Sequence, residues 1–488
     1  MSRIKSQSGQ EPPATRLTSF GEWNFGDAEL GDKRRTKRLV QVADALVRHP
    51  GGSFPEKLRG PGELDGFYHL MKGKAVTHES VMAPHRSRTL QKIAEHDGPV
   101  LVLHDTTELD YTTRESLDNA GPIGNGSRKG WLCHNSLVVS PQQREVLGLS
   151  SQILHHRATV RKKESTKARR ERLDRESRLW LEGTKTLPAN RKIVDVCDRG
   201  ADTFEFLAHE IRSNRTFVVR SSHNRGILPE QEHSSERVLL HDLSRSLPSL
   251  GQWTLSVPAA RLVKKPKKTG KNKVIHRQKR EAQLQVSARS VEVCRPQEKT
   301  GDYDEDRLLL WIVRVWEEDP PEGVEGLEWF LLTNHPVESF EAAREVVGWY
   351  ECRWMIEEFH KAQKTGCSIE SPQFSYSDRL HPAIALLSIV ALSLLNLREL
   401  SRLEDAKTRP ASEVISGDYV NLLSTWRRGK EIPDWTIHDF FMALARLGGH
   451  LNRKHDGHPG WIVLWRGWSQ LQLMMEGVNA FKKLKTCA

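Results

Sequence analysis

The chain has 488 residues, 37% of them hydrophobic, and carries 74 Lys and Arg against 63 Asp and Glu. The net charge of +11 favours a polyanionic partner, and the length allows roughly two to four domains around a sizeable core. No apolar run reaches the roughly 18–20 residues of a spanning helix; MSRIKSQSGQEPPATR lacks the apolar stretch of a secretory signal; and Cys133, Cys197, Cys294, Cys352, Cys367 and Cys487 lack C-x-x-C spacing, which argues against a disulfide frame or a zinc site and leaves a basic cytoplasmic protein with no membrane partner.

After a polar tail over residues 1–19, charge becomes dense on helical spacing. In GDAELGDKRRTKRLVQVADALVRHP, Leu39, Val42, Ala43 and Leu46 form an apolar stripe, and Lys33, Arg34, Arg35, Lys37 and Arg38 cluster ahead of it. Pro50-Gly51-Gly52 ends that helix, and a second is expected around Gly62–Met71. A small helical unit over 20–75 with a basic entrance suits phosphate contacts, a solvated cap over a core being the alternative. Pro99–His104 is almost wholly apolar, the mark of a strand covered on both faces, and it ends at Asp105. The Gly-rich GPIGNGSRKG (Gly121–Gly130) lacks the G-K-[ST] ending of a nucleotide loop, so it reads as a turn and no nucleotide cofactor is expected.

Asn135–Ser140 reads as a strand, Arg157–Arg178 as a highly charged helix, Lys192–Cys197 as a second central strand ending at Asp198, and Thr203–Ile211 as a helix. From Val218 to Leu332 the pattern alternates as β structure. KKPKKTGKNK (Lys264–Lys273) interrupts it, a solvated hairpin tip or disordered loop that could still touch DNA. Trp329–Thr333 returns to the core, and Pro336 leads into a helix reaching Tyr350. From Leu380 the chain is helical. Ile384–Leu395 reads as a buried core helix, and the Trp-rich Gly460–Val478 as core or a subunit contact.

Between Gly348 and Gly366 neither proline nor further glycine intervenes, so one helix is expected. At about 100° per residue, Tyr350, Arg353, Glu357 and Lys364 share an arc of about 60°, and Glu358 falls outside it. Such a face is a solvated ion-pair stripe or a carboxylate held among two cations and a phenol. Asp105 and Asp198 each end an apolar strand, where α/β sheets expose side chains to a ligand crevice, although Asp there is also a common turn or cap. Asp195 inside its strand, Asp110 past its end and Asp202 rank lower. Three converging carboxylates suit two Mg²⁺ ions, hard cations that take oxygen ligands.

The spacing Tyr350-x2-Arg353-x3-Glu357-x6-Lys364 resembles the Y-R-E-K signature of DDE transposases in the bacterial IS-four family. GDKRRTKRLV, HDTT at Asp105, SRKGWLCH, VCDRGAD at Asp198, WFLLTNHPVES, ARLGG and LWRGW agree in order, over roughly residues 20–480. The resemblance implies an α/β fold: a ribonuclease-H-like catalytic core over 76–395 with a β-strand insertion at about 218–330. Helical domains flank it, a DNA-binding one at 20–75 and a dimerising one at 396–488. It implies Asp105, Asp198 and Glu357 as catalytic ligands of two Mg²⁺, with Mn²⁺ able to substitute. Tyr350, Arg353 and Lys364 would grip phosphates, and Trp329 would stack on a flipped base, a plain core role being its alternative. Arg220, Arg34, Arg35 and Arg38 are further expected DNA contacts, and Trp354 suits either packing or DNA contact. The implied partners are transposon-end inverted repeats, target DNA and a second copy of the chain, at the nucleoid. Where the family carries an acid after Asp198-Arg199 this chain has Gly200, which is expected to loosen the following turn. A catalytically inactive DNA-binding inhibitor or repressor, and a two-metal endonuclease without strand transfer, are the alternatives.

Overall fold

A computed structural model describes residues 19–48, 53–60, 62–142, 144–157, 164–165, 168, 172, 174–229, 238–264, 273–297, 301–403, 405–453 and 456–486. The polar tail before Ser19, Pro50-Gly51-Gly52, most of the Lys264–Lys273 run, most of the expected Arg157–Arg178 helix and Cys487 lie outside them. The fold is mixed α/β, with a large mixed sheet and helical N- and C-terminal regions, consistent with a ribonuclease-H-like transposase. Its strands are β1 (Val100–Asp110), β2 (Gly121–Ile123), β3 (Arg128–Ser140), β4 (Glu145–His155), β5 (Ile193–Cys197), β6 (Thr216–Arg220), β7 (Gly226–Pro229), β8 (Val238–Leu239), β9 (Gly251–Val257), β10 (Ala260–Lys264), β11 (Lys273–Arg277), β12 (Arg280–Cys294), β13 (Arg307–Glu317) and β14 (Glu328–Thr333). Contacts divide the chain into two compact units: residues 1–100, 105–161 and 354–488, and residues 101–104 with 162–353.

In the first unit, Leu39, Val42, Ala43 and Leu46 are buried along the Lys33–Arg48 helix, as the apolar stripe requires. The Ser377–Leu400 helix packs on it, on the His78–Glu95 helix and on β4. That helix is long and apolar enough to cross a membrane, but 89% of its most apolar window is buried inside the protein, as in a core helix. The strands run β2-β3-β1, with β4 antiparallel to β3, so the glycine-rich segment turns only between β2 and β3. Toward the C-terminus, Val420, Phe440, Leu444, Leu464, Trp468 and Leu471 form a separate core of the Gly417–Arg428, Ile437–Leu447 and Trp461–Thr486 helices. The latter two cross at backbone distance. A Cβ on Gly448 would come within 1.9 Å of the Val463 carbonyl oxygen, and one on Gly467 within 1.9 Å of the Leu444 oxygen.

In the second unit the order is β1-β5-β6-β14-β13-β12-β7-β8, with β9 also on β12. β5 and β6 run parallel around the Phe204–Arg212 helix, while β6, β14, β13 and β12 pair antiparallel. β5 is buried throughout, the continuous burial that marks a covered strand.

Two expectations change. β1 does not stop at Asp105 but continues to Asp110, with burial falling from complete at Val100–His104 to partial at Asp105–Glu108. The polar run Thr-Thr-Glu-Leu-Asp continues the strand with only Leu109 fully buried. The Gly348–Gly366 segment is three pieces, not one helix. A helix ends at Glu351, a second spans Trp354–Lys361, and a π turn covers Ala362–Gly366. The Cys352 amide is shared between the Gly348 and Trp349 carbonyls, and the Arg353 amide bonds the Tyr350 carbonyl three residues back, which tightens the chain and breaks the even rotation. The π turn is held by side chains: Gln363 donates to Ser388 at 2.9 Å, and the buried Lys57 ammonium donates to the Cys367 carbonyl.

Candidate nucleic-acid interface and metal-binding carboxylates

The Lys33–Arg48 helix turns its apolar stripe inward, so Lys33, Arg34, Arg35, Lys37 and Arg38 stand exposed on its outer side. Their placement is ordered. Asp32 accepts the Arg34 backbone N–H at 2.8 Å and pairs with its guanidinium at 2.9 Å. That hydrogen bond holds the Asp32 carboxyl down at about 2. Arg35 donates to the Leu30 carbonyl at 3.0 Å. The Arg38 guanidinium lies 3.3 Å from where a Gly66 Cβ would be, so it packs over the Glu63–Leu70 helix. Cations fixed by their own backbone present preset charge to a phosphate chain, with less side-chain entropy left to lose.

The candidate carboxylates have different local anchors. Asp105 lies within β1, half-exposed, where its Oδ1 accepts the Thr106 N–H at 2.8 Å. Asp198 follows β5 and caps the 3-10 turn Arg199–Ala201, accepting the Gly200 N–H at 2.9 Å. Glu357 is exposed on the Trp354–Lys361 helix. Its neighbour Glu358 is half-buried, accepting the Trp461 indole N–H at 2.9 Å and pairing with Lys361 at 2.6 Å. Asp105 and Glu357 belong to the first unit and Asp198 to the second. Among the described residues, neither unit alone gathers three His, Cys, Asp or Glu side chains able to hold a metal ion.

The lower-ranked acids each have a structural partner. Asp110 pairs with Arg128 at 3.1 Å. Asp202 accepts the Ser222 N–H at 2.6 Å and the His223 N–H at 3.1 Å, and pairs with Arg225. Asp195 is fully buried in a cluster the sequence did not announce. His104 Nε2–H donates to its Oδ1 at 2.7 Å, and Arg215 donates to its Oδ2 at 3.1 Å and to Glu210 at 2.7 Å. Burial keeps the His104 imidazole neutral, at about 3. Burial and then the Asp195 charge push Glu210 up to about 8. The cluster fixes His104, the residue before Asp105 in sequence, and Asp195, three residues before Asp198. Adjacency of His104 to Asp105 is its only sequence signal.

Of the expected DNA contacts, Arg220 and Trp329 come together on the second unit. Arg220 is directly opposite Leu331, two residues from Trp329 along β14, so both lie on one sheet face as diagonal neighbours. Trp329 is half-exposed, while Phe330 turns to the other face beneath His241 at 4.1 Å. Tyr350 ends its helix half-exposed and Arg353 follows in the break. In the first unit, Lys364 on the π turn pairs with Glu370 at 3.7 Å, and Glu370 accepts the Asp110 N–H at 2.8 Å. Trp354 is covered by the Arg398 guanidinium at 4.4 Å, a packing arrangement.

Gly200 does not loosen its turn. A Cβ there would meet the Trp180 ring at 2.2 Å, so the glycine admits the indole while its N–H fixes Asp198. Gly200→Ala is expected to cost about 1–3 kcal/mol by overpacking, read in the denaturant midpoint, and Trp180→Leu should relieve part of that loss. Strictly additive losses would show that ring and glycine do not interlock.

Residues 18–76, which contain the cationic helix, match the family model described as transposase DNA-binding. The match supports a transposase and a DNA partner for this chain.

Proposed function

We propose that this chain is a metal-dependent DDE transposase of the IS-four kind, moving its element by cut-and-paste as a synaptic homodimer. The observation that carries the reading is the transposase DNA-binding match at 18–76, with its outward cationic helix. The Y-R-E-K spacing adds the catalytic half. The homodimer is supported by the Trp461–Thr486 helix: Trp461 and Trp468 are core, while Leu473, Phe481 and Leu484 are exposed beyond them.

Asp105, Asp198 and Glu357 offer only carboxylate oxygens, a donor set that fits Mg²⁺ or Mn²⁺. When bound, two such ions polarise the phosphodiester and make water or a 3′-hydroxyl a better nucleophile. The cationic Lys33–Arg48 helix binds the inverted repeat at the transposon end. Arg353 grips phosphate oxygens through its planar fork, Lys364 as a point charge, and Tyr350 by its hydroxyl. Water cleaves one strand. The freed 3′-hydroxyl attacks the opposite strand, releasing flanking DNA and closing a hairpin, and water reopens it before the 3′-hydroxyl joins target DNA. Hairpin closure draws a base out of the stack, and the half-exposed Trp329 indole gives it a stacking surface.

A labelled duplex carrying the repeats that flank the coding sequence tests this. With Mg²⁺ the protein should yield nicked, hairpin and target-joined products. Base stacking is worth about 1–3 kcal/mol, so Trp329→Ala should slow hairpin closure about tenfold or more while leaving the first nick near the wild-type rate. No cleavage by wild-type protein would overturn the enzyme reading. Equal loss of both steps would return Trp329 to a packing role.

A further inference from the structure

The C-terminal helices enclose a second basic concavity that the reading above leaves without a role. A cleft of ≈ 660 Å³ is lined by the end of the Gly417–Arg428 helix, the Ile437–Leu447 helix, and Leu451, Asn452, Gly457 and His458. Arg427, Arg428 and Arg446 all line it, joined by two imidazoles, His438 and His458. Arg427 and Arg428 are exposed and have no ion-pair partner among the described residues. Arg446 is held in place, donating to the Leu451 carbonyl at 3.1 Å. Asp439 is the only acid among the described lining residues. Its carboxylate already accepts the Thr436 hydroxyl at 2.8 Å.

A helix dipole favours a cation in each last turn, and that accounts for arginines at two helix ends. It does not account for both ends directing guanidinium groups into one concavity, where three arginines face the single carboxylate of Asp439 among the described lining residues and the cations outnumber it. An anion seated there removes the repulsion, and guanidinium forks match phosphate oxygens bidentately. We propose that this cleft is a phosphate seat for the backbone of duplex DNA, contacted independently of base sequence and apart from the Lys33–Arg48 helix. Contacts to phosphate alone fix position without reading sequence. The choice of DNA as the anion rests on the transposase reading.

Full-length protein titrated with a fluorescein-labelled random-sequence duplex over a range of salt tests the seat. Each phosphate contact contributes about 0.9 to the slope of log affinity against log salt. Arg427→Glu with Arg428→Glu should therefore lower that slope by about 1.8 and weaken low-salt binding roughly tenfold. Arg402→Glu with Lys407→Glu makes the same charge change at exposed positions outside the cleft and should leave slope and affinity near wild type. Thermal melts establish that both double variants fold. Matching slopes for the two would overturn the seat while leaving the transposase reading intact. Wild-type protein that binds no duplex at all would overturn that reading and the seat with it.

Discussion

Asp198→Asn and Glu357→Gln are each expected to reduce Mg²⁺-dependent strand cleavage by at least about 10³-fold, a barrier increase of roughly 4 kcal/mol. Duplex affinity should stay within about twofold of wild type. The contrast is Glu358→Gln, one residue away. Its carboxylate already serves the Trp461 indole and Lys361, so its loss should lower stability and leave the rate per folded molecule nearly unchanged. Cleavage that survives loss of the Asp198 or Glu357 charge would remove that residue from the metal-binding set. Cleavage that fails equally with Glu358→Gln would mean that the helix, not the exposed carboxylate, carries the effect. Product gels and anisotropy on the same preparations separate chemistry from binding.

Arg215→Met should destabilise the protein by about 3–5 kcal/mol, because it leaves Asp195 and Glu210 buried without their cation. Replacing the set together, Asp195→Asn, Glu210→Gln and Arg215→Met, should recover much of that loss. The cluster also has a pH signature. Glu210 sits at about 8 in the folded chain against an ordinary 4.5, so the folded form binds the extra proton. Its contribution is complete below pH 4.5 and is lost as pH rises through about 8. His104 works in the opposite sense. It is lowered from 6.5 to about 3, so the unfolded chain takes the proton, and stability is lost as pH falls from 6.5 toward 3. Denaturant midpoints from pH 5 to 9 should show Glu210→Gln gaining on wild type as pH rises. Parallel curves would sink the Glu210 assignment.

Where the sequence was legible, one physical signal dominated. The stripe of Leu39, Val42, Ala43 and Leu46 is buried, and the continuous apolar run of β5 is a covered strand. Both follow from hydrophobic periodicity, which burial enforces. The limits were tertiary. β1 continues past Asp105 through polar residues because their neighbours pair with them, not because of composition. The break at Cys352–Arg353 has no proline or glycine to mark it, and the π turn depends on Gln363 reaching Ser388 and Lys57 reaching Cys367. The even rotation assumed from Tyr350 to Lys364 is therefore interrupted twice, at the break and at the π turn. Likewise His104 meets Asp195 across 91 residues, a pairing no local pattern encodes. Gly200 shows the converse. Its departure from the family pattern was visible, but its meaning lay in Trp180.

The crossing of the Ile437–Leu447 and Trp461–Thr486 helices has an evolutionary consequence. Gly448 and Gly467 each face a backbone carbonyl of the opposing helix, and a carbonyl cannot be mutated away. Any side chain at one position meets an obstacle that no substitution at the other removes. The two sites are therefore closed to stepwise drift, and their variation is not rescued by covariation. At Gly449, Gly457 and Gly460, by contrast, nothing lies within 4 Å of an added Cβ, although Gly449 and Gly457 hold positive φ. Descendants of this chain therefore inherit the helix crossing intact.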